Sequence, residues 1–139
     1  MLLIDTGPLV ALIDKADPTH QRCAALFQSL SAAPVTTWRC LTEAFYFIGR
    51  LCGWHGQQQL LTLLARGAVR IQDASQAEII RISELMTQYK DRPMDFADAA
   101  LVALAEREGL KRIFTIDDDF YFYRIKGRDS FDVLRPDVA

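Results

Sequence analysis

The sequence predicts a three-layer α/β/α domain built on a mostly parallel central sheet of four to five strands. Three observations predict it. Short apolar runs recur along the chain, helical patterns fill the gaps between them, and no linker, repeat or low-complexity tract interrupts the alternation. Strands alternating with helices imply parallel pairing through crossovers, with helices covering both sheet faces. A strand buried in this way reads as a continuous apolar run. The chain has 139 residues, 50% of them hydrophobic, so one domain over 1–139 with one real core is expected.

The first expected strand is Leu2 to Asp5, and the second is Val35 to Trp38. Val69 to Gln72 and Arg112 to Ile116 follow. Phe131 to Leu134 is a fifth, placed at an edge because Pro136 stops it. Asp17-Pro18 reads as an N-cap with proline in the first helical turn, opening a helix that runs to Leu30. Leu41 to Leu51 carries Phe45, Ile48 and Leu51 at helical spacing, and Gln57 to Arg66 ends at Gly67. Ser75-Gln76-Ala77-Glu78 matches a capping box, and Ile79, Ile82, Met86 and Tyr89 form one apolar stripe behind it. Asp95 to Glu108 is rich in alanine and leucine and stops before Gly109.

Composition narrows the function. A net charge of −2 gives no global attraction to nucleic acid or membrane. Any grip on RNA must come from a local patch or from metal ions that offset the chain's own acids. Cys23, Cys40 and Cys52 are odd in number and form no C-x-x-C pair, so reduced, mostly buried thiols are expected rather than a zinc site or disulfide framework. No basic segment precedes the apolar start, and no run approaches the about 18 residues of a membrane span. A cytoplasmic protein with no membrane partner is expected.

Four acids stand at element ends on one expected sheet edge. Asp5 and Asp117 follow strands, while Glu43 and Asp98 lie early in helices. Strand C-termini and helix N-termini share the edge where ligands of open α/β sheets bind. Clustered carboxylates repel one another unless a cation sits between them, and hard oxygen donors suit Mg²⁺ or Mn²⁺. Each acid also has an ordinary reading. Asp5 suits a turn with Gly7 and Pro8. Glu43 and Asp98 suit a first helical turn, Asp95 an N-cap, and Asp117 a cap on the Asp118 to Tyr123 segment. Asp95 shares a helix face with Asp98 and reads as a cap, a holder of metal-bound water or a further ligand. In the run Asp117-Asp118-Asp119, the apolar strand before it favours Asp117, with Asp119 the runner-up. Asp5-Thr6-Gly7 also occurs in aspartic proteases, but those need two such loops in an all-β fold. His20 and His55 lie near no G-x-S-x-G, which leaves a serine hydrolase without support.

Three segments, Leu3-Ile4-Asp5-Thr6-Gly7-Pro8-Leu9-Val10-Ala11, the helix from Asp95-Phe96-Ala97-Asp98 to Ala105, and Ile113-Phe114-Thr115-Ile116-Asp117-Asp118-Asp119-Phe120, together with Thr42-Glu43-Ala44, resemble the PIN domain family. Within that family the chain is similar to the VapC toxins of type II toxin–antitoxin pairs, over nearly its whole length. The resemblance implies a PIN-like domain and an endoribonuclease dependent on Mg²⁺ or Mn²⁺. Asp5, Glu43, Asp98 and Asp117 match the family's acidic quartet, with Asp5 and Asp98 the foremost direct ligands. Thr6 and Thr115 match small hydroxyl positions that orient carboxylates or water, with Asp95 and Asp119 in support. The implied partners are an RNA substrate, tRNA among the candidates, a cognate antitoxin and a second copy of the chain. Helix faces at Phe45 to Leu51 and Leu60 to Leu64 are the candidate dimer contacts. Arg39, Arg50, Lys111, Arg112, Arg124, Lys126 and Arg128 are candidate phosphate contacts at the rim. Phe120 and Phe122 are expected in the core, leaving Tyr121 or Tyr123 exposed for base stacking. The alternatives are an inactive PIN fold that binds a protein, or a metal-dependent nuclease or phosphatase acting on another substrate.

Overall fold

A computed structural model describes residues 1–136. Its centre is a five-stranded sheet in the order β3-β2-β1-β4-β7, and every pair in it is parallel. The strands are β1 (Leu3–Ile4), β2 (Val35–Thr36), β3 (Arg70–Ile71), β4 (Arg112–Phe114) and β7 (Asp132–Leu134). Leu3 is opposite both Val35 and Ile113, so the first strand of the chain lies in the middle of the sheet. β7 is an edge, as Pro136 led us to expect.

Side chains alternate across a strand, and the core divides accordingly. Leu3, Val35 and Ile113 face one helical layer, packing with Ile82 and Leu85 of α4 (Ile79–Gln88) and Leu101 and Leu104 of α5 (Phe96–Glu108). Leu2, Ile4 and Phe114 face the other. That layer holds α1 (Thr6–Ile13), α2 (His20–Ser29) and α3 (Trp38–Ala65), with Leu9, Cys23, Leu41, Ile48 and Leu60 in its core. The three-layer α/β/α architecture is thus present. α5 is buried from Ala97 through Ala105, which is why its sequence is alanine-rich on every face.

Several element boundaries differ from expectation. α1 starts directly at Thr6, where the sequence suggested a turn: Asp5 is its N-cap, and Pro8 falls in the first turn, where its missing N–H costs nothing. Asp17 does not cap α2. Its carboxylate accepts from the Thr19 N–H and hydroxyl in a separate turn, and the helix begins at His20. β2 ends at Thr36 because the Thr37 hydroxyl accepts from the Cys40 N–H, so Trp38 opens α3. β4 likewise ends at Phe114, short of Ile116. The expected pair of helices at 41–51 and 57–66 is one helical stretch broken at Gly53, whose φ of 67° and ψ of −160° suit glycine. The capping box is present, with the Ser75 N–H donating to Glu78 Oε1 at 2.9 Å. Ile79, however, is 47% exposed, and Leu85 takes its place in the buried stripe.

A small antiparallel hairpin, β5 (Arg124–Ile125) and β6 (Asp129–Ser130), has no apolar run to mark it in the sequence, since only Ile125 of its four residues is apolar. It is tied down by Glu106 of α5, which accepts from the Lys126 N–H and forms a paired-nitrogen bridge to Arg81 of α4 at 2.8 and 2.9 Å. Among the described residues no disulfide joins the cysteines; Cys23 and Cys40 are buried and Cys52 is half-buried. No described helix is long and apolar enough to cross a membrane.

Candidate metal centre

The C-terminal ends of β1 and β4 lie side by side, so the residues after them meet. Asp5 follows β1, and its N–H donates to the Phe114 carbonyl at 3.0 Å. Asp117 lies three residues beyond β4, held by its N–H on the Thr115 hydroxyl at 3.0 Å. Asp98 stands in the first turn of α5, which Asp95 caps by accepting from the Asp98 N–H at 2.8 Å. Carboxylate oxygens of Asp5, Asp98 and Asp117 all lie within 4.8 Å of one another. Asp5 and Asp98 are 8% and 7% exposed, so little solvent screens the three charges.

Local bonds fix each carboxylate. Asp5 Oδ1 accepts from the Thr6 N–H at 2.8 Å, and Oδ2 accepts from the Thr115 hydroxyl at 2.9 Å. Asp98 Oδ2 accepts from the Tyr123 hydroxyl at 3.0 Å. Asp117 Oδ1 accepts from the Asp119 N–H at 2.9 Å. Gly7 is required behind this cluster, since a Cβ there would come within 2.6 Å of the Ile116 side chain.

The electrostatics follow from burial. Burial pushes Asp98 up to about 8, with the charges of Asp95 and Asp5 adding to it and the Tyr123 hydrogen bond opposing. Burial also lifts Asp5 to about 6 against the bonds from Thr6 and Thr115. Asp117 is raised, again chiefly by burial, with the Asp119 N–H pulling the other way. Among the described residues no Lys or Arg forms an ion pair with any of the three. A divalent cation would supply the missing charge, and three convergent hard oxygens match the donor set of Mg²⁺ or Mn²⁺.

The other expected site residues divide. Glu43 lines the same cavity of about 360 Å³ but stands outside the tight cluster. It lies more than a turn into α3, 4.0 Å from Arg39, and burial followed by the Asp95 charge raises its pKa. Thr115 touches Asp5, whereas the Thr6 hydroxyl faces the Cys40 carbonyl at 3.4 Å. Asp119 pairs with Arg92 Nε at 3.1 Å while staying close enough to Asp117 to help raise it, and Asp118 pairs with Arg135. Of the three consecutive aspartates, Asp117 is therefore the one in the cluster.

Two expectations about the aromatics are reversed. Tyr123 is fully buried and Phe122 is 52% exposed, because the chain turns through a 3₁₀ helix over Asp118–Tyr121 and burial falls on Phe120 and Tyr123, three positions apart. Tyr123 was missed as a site residue; the available signal was that a buried tyrosine needs a partner for its hydroxyl. Asp17 also lines the cavity and was read only as a cap. Most of the expected rim cations lie elsewhere. Lys111 and Arg112 stand at the start of β4, on the opposite sheet edge, paired with Asp129 and Asp132. Arg128 also pairs with Asp129, and Arg124 donates to the carbonyls of Tyr121, Phe122 and Tyr123.

Residues 2–127 match the sequence model of the PIN domain. The chain belongs to the PIN domain family. This PIN domain is 31% identical to Ribonuclease VapC26 of Mycobacterium tuberculosis, over 97% of its own length and 93% of that protein's. Solved structures share the fold. VapC20 of Mycobacterium tuberculosis, a sarcin-ricin loop cleaving toxin, superposes with a TM-score of 0.79 at 21% identity, over 86% of this chain and 92% of that one. The toxin–antitoxin complex from Klebsiella pneumoniae gives 0.68 at 20% identity, over 98% of each.

Proposed function

We propose that this PIN domain is an endoribonuclease dependent on Mg²⁺ or Mn²⁺, and the toxin of a toxin–antitoxin pair. The observation that carries the reading is the meeting of Asp5, Asp98 and Asp117 within 4.8 Å, with no Lys or Arg paired to them among the described residues. Its family membership and its likeness to a VapC ribonuclease support the substrate class. An antitoxin as partner is supported by the likeness to a toxin–antitoxin complex.

In this reading Asp5, Asp98 and Asp117 hold the metal, and Glu43 acts from the cavity wall on a water or a further ion. When bound there, such an ion would supply a lowered pKa for attacking water and relief of charge on the phosphate. The chain's own residues prepare that chemistry. Thr115 and the Thr6 N–H orient Asp5, Tyr123 orients Asp98, and Asp95 sets the first turn from which Asp98 projects. Without metal the same acids would repel RNA. A homodimer remains part of the proposal, with a narrower contact surface. Ile48 and Leu60 belong to the core, so Tyr46, Phe47, Leu51 and Leu61 are the exposed candidates.

The test is incubation with structured RNAs, tRNAs among them, in Mn²⁺, Mg²⁺ or EDTA, beside Asp5→Asn and Asp98→Asn. Cleavage that needs metal and is lost in both variants is expected, by at least ~100-fold given the scale of metal-ion catalysis. Cleavage persisting in EDTA or in both variants overturns the reading.

A further inference from the structure

We propose that the Arg92 guanidinium, stacked on the Phe122 ring, is a nucleotide platform beside the acid cluster. It takes an unpaired RNA base on its open face and the adjoining phosphate on its free nitrogens. This rests on the ribonuclease reading above.

Three hydrogen bonds tie the platform to the cluster. Arg92 Nε donates to Asp119, whose own N–H donates to Asp117. On the other side, Tyr123, the next residue after Phe122, donates its hydroxyl to Asp98. Arg124 pins the intervening backbone through the carbonyls of Tyr121, Phe122 and Tyr123 at 2.8, 3.2 and 3.1 Å. Phe122 is thus presented on a fixed loop between residues bonded to two of the three acids.

The pair has the features of a contact surface. The guanidinium carbon stands 3.5 Å from the ring centroid, a close stack. Phe122 is 52% exposed, while Phe120 and Tyr123 in the same segment are fully buried. Among the described residues the Nη groups of Arg92 carry no hydrogen bond, and its side chain is 44% exposed. RNA recognition stacks unpaired bases on aromatic rings or guanidinium planes, and a guanidinium edge matches phosphate geometry. Of the expected rim cations, Lys111 and Arg112 lie at the far sheet edge and Arg124 is used by the loop. Arg39 over Phe96 is a looser pair, at 5.9 Å, and faces Glu43.

The test is binding of a 5′-fluorescein random-sequence 12-nucleotide RNA pool, in Mg²⁺, by the full chain carrying Asp98→Asn to block cleavage. Adding Arg92→Gln is expected to weaken binding about tenfold and to lower the slope of log affinity against log salt by about 0.7. Phe122→Ala is expected to weaken binding about tenfold with the salt slope unchanged, and Phe122→Tyr to restore it. Lys111→Gln is the remote-cation control, and melting curves check that each variant folds. If Arg92→Gln and Phe122→Ala both bind within twofold of the parent, the platform is overturned while the ribonuclease reading stands. If the parent itself binds no RNA and the unsubstituted chain cleaves none, both fall.

Discussion

At the residue scale, Asp98 carries the greatest electrostatic load. It is buried beside two other carboxylates, and the Tyr123 hydroxyl is the side-chain hydrogen bond that favours its charged form. Tyr123→Phe keeps the ring in its packed site between Tyr89 and Phe120 and deletes that donor. Asp98 then rises further from about 8. A hydrogen bond to a charged group contributes about 1.5–3 kcal/mol, which corresponds to a rise of about one unit or more. Metal binding requires the ionised carboxylate, so the pH midpoint of Mn²⁺ affinity should move upward by that amount in Tyr123→Phe. Titration calorimetry across pH checks it; an unmoved midpoint would remove Tyr123 from the site. The acids themselves were legible because Asp5, Asp98 and Asp117 stand at element ends. Tyr123 and Arg92 were not, because their partners lie 25 and 27 positions away and are set by how one loop folds over another.

At the scale of elements, strands were readable as apolar runs, but their ends were set by caps the runs do not reveal. Thr37 turns the chain into α3 two residues before the apolar pattern ends, and Asp5 does the same at α1. The Gly7-Pro8 pair suggested a turn, whereas both fit the first turn of a helix, where proline loses no bond. Gly7 has a second role there, since α1 and the segment after β4 approach too closely for a side chain. Gly7→Ala should therefore cost about 1–3 kcal/mol by overpacking against Ile116. Adding Ile116→Ala opens the space, so the double variant should lose less than the sum of the singles. A urea-denaturation double-mutant cycle measures this, and strict additivity would show that the contact is not the cause.

For the whole molecule, the acid cluster couples stability to pH and metal. Asp5 and Asp98 hold folded pKa values of about 6 and about 8, above the 3.8 of an ordinary aspartate. The folded state therefore binds more protons than the unfolded one between about pH 4 and 8, and stability from these groups falls as pH rises through that window. In EDTA, Tm should drop between pH 5 and pH 8.5, and Asp98→Asn should flatten the fall. Adding Mn²⁺ should raise Tm more at pH 8.5 than at pH 5, where protons compete for the same oxygens. Thermal melts with and without metal decide the matter, and a metal-free Tm that rises with pH would contradict it. The bonds that position the three carboxylates also set their denticity. Both oxygens of Asp5, one of Asp98 and one of Asp117 already accept hydrogen bonds. Asp98 and Asp117 each keep one oxygen without such a bond, and Asp5 keeps a second lone pair on oxygens already bonded, which favours single-oxygen contacts over chelation. Ca²⁺ relies on chelating carboxylates to fill a large coordination shell, whereas Mg²⁺ and Mn²⁺ accept single oxygens and keep water. The hydrogen bonds that hold these carboxylates in place would thereby favour small cations that keep their water.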